Sequence, residues 1–509
     1  MEPDNTPVLV GVGQFTEHQS NPDHLLSALD LAERAATLAV RDTQSGDAVI
    51  NAIDTVAWVR TFSDSAPQFA SQFGFSSNPP RSLAKRLAAN PRTVIHSTAG
   101  GNVPQALVNE MAGKIRSGET GVVLLAGAEA IANEVFALKN GLSPDWSEAV
   151  DDDVEDRGLG IAEMATPHEI KHGVLDFAPL TYTLFENVAR QQRGHTLLEH
   201  QQAMAQLMAD FVETARANPF SMFTHIADPE ALAGDDSPVT SLYSKQFCAR
   251  EKVNQSAAAI MTSVDRAKAL GIPESQWVYL LGGAEATEKT LLRRRDLAAS
   301  EALKAIFDCL LPLLEVTAKD FKYIDIYSCF PSAVGAAMKA LDMEAGEHPR
   351  LTLTGGLPYF GGPGNDYSLH AIAEVVDRLR SDRKALGLIT ANGGILSKQA
   401  VGVYSGLPST APCQLPEKAV IQATIDGIPD EPVAEKPRGP ATIETYSVRY
   451  SRGKATGAVV IARLRDSGER CIAVVEAGDA ATLEKLEVED AMGLLGRVAG
   501  DEKTTFTFG

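Results

Sequence analysis

The chain has 509 residues, 44% of them hydrophobic, and a net charge of −20. That length exceeds what one hydrophobic core organises, so two to four domains are expected. The acidic balance argues against nucleic acid or an anionic membrane surface as a partner.

The opening MEPDNTPVLVGVGQ has no basic region and no long apolar stretch, so it does not read as a signal peptide. VLVGVG reads as a short strand. Its GVG lacks the third glycine of a dinucleotide fingerprint and is expected to be a tight turn after that strand. Residues 24–43 carry the spacing of an amphipathic helix. TVAWV and TVIHS are further short strands. TVIHS leads through the glycine loop TAGG into NVPQALVNEMAGKIRSG. There Val103, Leu107, Met111 and Ile115 share a helix face, and Gly118 ends it. Thr98 is expected to cap that helix, although His96, Ser97 and Thr98 also border the loop. GVVLLAGAEA follows as a buried strand, which completes a parallel β/α unit.

Residues 131–245 break this rhythm with acidic turns, Pro, Gly and aromatics. They are expected to form an inserted lid that includes the helix LLEHQQAMAQLMADFVETARA, stopped by Asn-Pro. His168 and His172, four apart with Glu169 between them, superficially resemble a metal pair. No third ligand is evident, so they are read as lid-lining. Tyr182 and Glu186 lie in the same insertion and are candidates to line a pocket beneath it. KVNQSAAAIMTSVDRAKALGI closes the first half.

The second half repeats the pattern. YIDIYS is a strand, CFPS a loop and AVGAAMKALD a helix. LTLTGG is then read as another strand. LPYFGGPGN is a glycine loop. DYSLHAIAEVVDRLRSD is a helix with Leu369, Ile372, Val376 and Leu379 on one face, and ALGLITANGG is the closing strand. After the Pro-rich LPSTAPCQLPEK, strongly alternating segments predict a small all-β barrel of the OB type. The expected domains are 1–130 with 246–273, the insertion 131–245, a second half 274–407, and a β domain 412–509. The five cysteines are scattered with no CxxC pair, so neither a structural zinc site nor a disulfide framework is expected. No apolar run reaches the length of a membrane span. The chain is read as a cytoplasmic protein with neither a membrane nor a nucleic acid as partner.

Taken in order, VLVGVGQ, GGNVPQALVNEM, VVLLAGAEA, LTYTLFENVAR, KVNQSAAAIM, YSCFPSAV, GGLPYFGGPGNDYSLHAIAEV and LITANGGILSKQAVGVYS resemble the sterol-carrier-protein-2-like thiolases. The resemblance is strongest to the SCP2-thiolase-like proteins of type 1, which add a C-terminal β domain. It implies an α/β thiolase fold of two βαβαβαββ halves in five αβαβα layers, with a loop domain over the active site. It further implies a coenzyme A thioester as substrate or ligand, acetyl-CoA acetyltransferase-like chemistry, no permanently bound cofactor, and a homodimer formed through the N-terminal half.

Thiolases use a nucleophilic cysteine at a helix N-terminus, a second cysteine, the histidine of a G-H-P loop, and an Asn or His that holds an oxyanion-hole water. Carried onto this sequence, the nucleophile position falls on Gly100 and the G-H-P histidine on Gly362. The second cysteine falls on Ala391, and the histidine of HDCF on Tyr327. Glycine and alanine can neither attack nor move protons. Three readings follow: an acyl-CoA enzyme with little ordinary thiolase activity, a non-catalytic acyl-CoA or lipid-binding protein, or a hydrolase or C–C lyase with reassigned residues. The ligand site is expected where the two glycine loops meet, with Gly100, Gly101, Asn102, Tyr327, Gly362, Asn365, Ala391 and Asn392 around it. Cys329 has two readings, a core thiol or the nucleophile. His370 likewise is either a helix-surface histidine or the base that activates Cys329 or a water.

Overall fold

Strand β1 (Pro7–Thr16) is buried along most of its length, and its side chains divide between two cores. Val8 and Val10 pack into one cluster, whereas Leu9 and Val12 pack into another on the opposite face. A strand that is apolar on both faces requires cover on both sides, and that requirement sets the layers. The protein is described from a computed structural model covering residues 4–65, 69–223, 225–226, 228–234, 237–344, 350–500 and 503–508.

The other strands of the body are β2 (Thr55–Trp58), β3 (Thr93–His96), β4 (Val122–Ala130), β5 (Glu155–Asp156) and β6 (Asn254–Ser263), followed by β7 (Val278–Thr287), β8 (Phe321–Asp325), β9 (Leu386–Gly393) and β10 (Lys398–Ser405). Among the described residues they form one sheet in the order β5-β3-β2-β4-β6-β1-β7-β10-β9-β8. Its middle is thin, because β1 and β7 share only the pairs Val8–Tyr279 and Leu9–Val278. On either side the halves repeat. β2/β4 and β8/β9 are parallel, while β4/β6, β6/β1, β9/β10 and β10/β7 are antiparallel.

The helices Val103–Ser117 and Tyr367–Ser381 contact each other and strands of both halves. Their apolar faces meet in one cluster with Leu107, Met111, Leu369 and Ile372. They form the middle layer that the sequence resemblance implies. Outside it, the helix Ala28–Asp42 begins at a capping box of Ser27 and Asp30 and covers β1, β4 and β6. Gly11 and Gly13 lie inside β1, not in a turn after it. A Cβ at Gly11 would stand 2.3 Å from the Ala39 carbonyl oxygen, and one at Gly13 would stand 2.2 Å from that of Ala35. The GVG therefore serves close helix-on-strand packing.

LTLTGG is not a strand. Ile326 still donates to the Leu351 carbonyl at 2.9 Å, in the place a fifth strand of the second half would take. The amides of Leu353 and Thr354 turn instead to the carboxylate of Asp325, at 2.8 and 3.2 Å, and Thr352 and Thr354 add their hydroxyls. One buried side chain thus takes the donors a ladder would need.

The C-terminal strands β11 (Gly439–Ser451), β12 (Lys454–Leu464), β13 (Arg470–Glu476), β14 (Leu495–Ala499) and β15 (Thr505–Thr507) close into a barrel in the order β11-β12-β13-β15-β14. The helix Ala480–Val488 bridges β13 to β14, and the whole is the OB arrangement. Alternation splits its residues. Val460, Ala462, Cys471 and Ala473 fill the barrel, whereas Val459, Ile461, Ile472 and Val474 face outward into the body's core. The guanidinium of Arg470, fully buried, donates to the carbonyls of Leu292 and Arg294. No helix among the described residues is long and apolar enough to cross a membrane.

Candidate functional site

The loop after β3 and the loop before the helix Tyr367–Ser381 do meet. Asn365 joins them: its Oδ1 accepts the Gly100 amide at 2.9 Å, and its Nδ2 donates to the Arg60 carbonyl at 2.7 Å. Ser368 adds a 2.7 Å bond to the Gly101 carbonyl. Gly100 has φ +141, which an L side chain rarely adopts, and a Cβ there would stand 2.5 Å from Asn102 Oδ1. At Gly101 a Cβ would stand 2.1 Å from the Tyr327 hydroxyl. The backbone is thus shaped around the missing side chain. Gly362 has more room, its nearest neighbour being the Arg250 carbonyl oxygen at 3.3 Å.

Cys329, Tyr327, Ala391 and Asn392 border the same junction and are all buried. Asn392 donates to the Tyr182 hydroxyl at 2.9 Å and lies 3.8 Å from the Cys329 sulfur. Its Oδ1 accepts from Gln399. Tyr182 stacks on Phe330 at 4.4 Å between ring centroids. Burial pushes the Cys329 thiol up to about 12, so it stays protonated at neutral pH.

The expected pairing of Cys329 with His370 does not form. His370 is fully buried in the middle layer, where its Nδ1 meets Gln14 Oε1 at 2.8 Å and its ring packs on Phe360. Burial drives its pKa down to about 3, so it is a neutral core imidazole. Helix periodicity could not separate these readings, because the face that carries His370 is covered by a second layer.

Thr98 does not cap the helix Val103–Ser117. Asn102 occupies the cap position without a side-chain bond. His172 takes a structural role, accepting the Thr504 amide at 3.0 Å and so tying the insertion to the barrel. Among the described residues no three His, Cys, Asp or Glu side chains cluster as metal ligands. Glu186 is held by His200 and by the Tyr243 hydroxyl, each at 2.7 Å, in a closed buried network.

Beside the glycine loop lies a cavity of about 190 Å³, lined in part by Thr98, Asn102, Arg157, Glu163, Glu285 and Lys398. Lys398 opens β10 and is 4% exposed. Its ammonium donates to the Ala99 carbonyl and would stand 3.3 Å from a Cβ at Gly100. Burial lowers its pKa to about 8, and burial raises that of Glu285 to about 7. Sequence reading missed both residues. The available signal was a lysine heading KQAVGVYS, a strand buried from end to end, where an ionised group is costly.

Residues 420–503 match the additional C-terminal domain of thiolase-like protein type 1. No curated protein sequence matches significantly. Among solved structures, an acetyl-CoA acetyltransferase from Syntrophomonas wolfei shares the fold at 14% identity, covering 80% of this chain and all of its own, with a TM-score of 0.55. The dimeric peroxisomal thiolase of Saccharomyces cerevisiae does so at 12% identity, covering 80% of this chain and 98% of its own, with a TM-score of 0.58. A monomeric SCP2-thiolase-like protein type 1 from Mycobacterium smegmatis is 34% identical, with full coverage of both chains and a TM-score of 0.83. By that identity over its whole length, and by its appended barrel, this chain belongs to the SCP2-thiolase-like proteins of type 1.

Proposed function

We propose that this protein binds coenzyme A thioesters without the covalent thiolase reaction. The observation that carries this reading is Gly100: the nucleophile position has no side chain, and its φ of +141 disfavours one. The adjoining cavity, at about 190 Å³, suits an acyl–thioester end and leaves the nucleotide at the surface. Asn102 would face the thioester oxygen with its amide nitrogen, and Lys418 at the cavity wall suits phosphate. The five unpaired cysteines fit a reducing, cytoplasmic compartment.

The test is thermal unfolding with acetyl-CoA alongside an assay of acetoacetyl-CoA cleavage by free CoA. Saturating ligand at about 100-fold over Kd should add about 2.7 kcal/mol of stability, with no cleavage. An acyl-enzyme seen by intact-mass measurement, or no shift at millimolar ligand, would refute the reading.

A further inference from the structure

The cavity beside Gly100 contains a second constellation that the thiolase comparison does not use. In the β7–β10 pairing, Lys398 lies opposite Thr287, and Ala400 opposite Glu285. Residues two apart on a strand share a face, so Lys398 and Glu285 are diagonal neighbours on one face. Both line the cavity. Buried lysines are ordinarily paired with a carboxylate. Among the described residues, the Lys398 ammonium has only the Ala99 carbonyl. The nearest acid along the helix, Glu110, is already bound by both terminal nitrogens of Arg157, at 2.6 and 2.8 Å. The charges acting on Lys398 are Glu163, which favours its ammonium, and Lys418, which disfavours it. The carboxamide oxygen of Asn102, a buried residue, has no partner and lines the same space.

We propose that this cavity is a carbonyl-condensing site, in which the Lys398 amine attacks the ketone carbon of a small β-dicarbonyl compound and Glu285 relays the protons. The nitrogen lone pair forms a C–N bond as the carbonyl π pair moves to oxygen. An amine proton passes to that oxygen, giving a carbinolamine. The C–O bond then breaks and water departs with one hydrogen from the amine and one from the methylene. The conjugated enaminone remains, with no net oxidation or reduction. The unpartnered Asn102 oxygen accepts from the N–H of the adduct. Lys398 suits this role because burial holds its pKa at about 8, which at pH 7 raises its neutral fraction on the order of a hundredfold over a surface lysine. The proposal rests on the cavity and not on the thioester reading, since the probe carries no coenzyme A.

Full-length protein is treated with acetylacetone and followed by the near-ultraviolet absorbance of the enaminone and by peptide mass mapping. We expect one dominant adduct, acetylacetone less water, on Lys398, formed at least tenfold faster at pH 7 than on any other lysine. Its rate should level off above about pH 8, whereas surface lysines keep rising toward their ordinary pKa of about 10.4. Lys398→Arg keeps the charge and should abolish the adduct. Glu285→Gln should slow its formation and alter the pH profile while Lys398 remains the modified residue. Adducts spread over surface lysines, or an unchanged rate in Lys398→Arg of native melting temperature, would overturn the proposal. Should Lys398→Arg unfold, the mapping and pH profile of the unaltered chain decide alone.

Discussion

The Tyr327 hydroxyl sits 2.1 Å from the point where a Cβ on Gly101 would be. A tyrosine on the second half thus fills the space beside the glycine loop of the first, and the two positions are sterically linked. Gly101→Ala should therefore cost about 1–3 kcal/mol, as overpacking of a dense core does. Tyr327→Ala, destabilising by itself, should cancel part of that increment, because the Asn392 carbonyl oxygen, 2.7 Å from the same point, stays in place. A double-mutant cycle in urea measures the coupling. Additivity of the two substitutions would show that the contact carries no energy.

Asp325 holds together the segment that sequence reading took for a strand. Asp325→Ala would leave the amides of Leu353 and Thr354 without their acceptor in a buried site. A loss of about 3 kcal/mol or more is expected, read from the midpoint of chemical denaturation. A loss under about 1 kcal/mol would mean that water replaces the carboxylate.

Glu129 is buried behind the Gly364 turn, and burial raises its pKa to about 8. The folded protein therefore keeps it protonated at pH 7, whereas the unfolded chain ionises it above about 4.3. Its contribution to stability is complete below that value and is lost as pH rises through about 8, by on the order of 1 kcal/mol per pH unit. Glu129→Gln keeps the acceptor for the Phe62 amide and cannot ionise. Melting temperatures from pH 5 to 9 should fall less in the variant, and parallel curves would count against this account.

Cys329 should resist thiol reagents at pH 7, because its sulfur is buried and protonated. Labelling with iodoacetamide before and after unfolding, followed by peptide mapping, checks this. Rapid labelling of Cys329 in the native protein would restore it as a candidate nucleophile.

Residues 407–412 are exposed, so proteases should cut there. The barrel should nevertheless stay attached. Its outer apolar face is buried in the body, Arg190 pairs with Asp490 at 2.7 Å, and Asn187 donates to the Tyr446 carbonyl. Nicked protein should elute as one species on gel filtration and separate only in denaturant. A barrel that elutes alone would establish it as an independent module.

Much of this architecture is local and therefore legible in the sequence. The helix Val103–Ser117 announces itself by apolar spacing and a terminal Gly118 in the left-handed region, because i to i+4 bonding and a C-terminal glycine act within a few residues. The barrel strands alternate because one face fills the barrel, and the glycine loops are read from their composition. What the tertiary structure alone decides is which distant group each side chain meets. His370 goes to Gln14, 356 residues away, and not to Cys329. LTLTGG has the pattern of a strand, yet Asp325 takes its amides. Lys398 looks like an ordinary charge at a strand end until the pairing of β7 with β10 encloses it with Glu285. Periodicity specifies which face of an element is apolar, but the dielectric, partner and pKa of a buried polar group are set by the layer that closes over it.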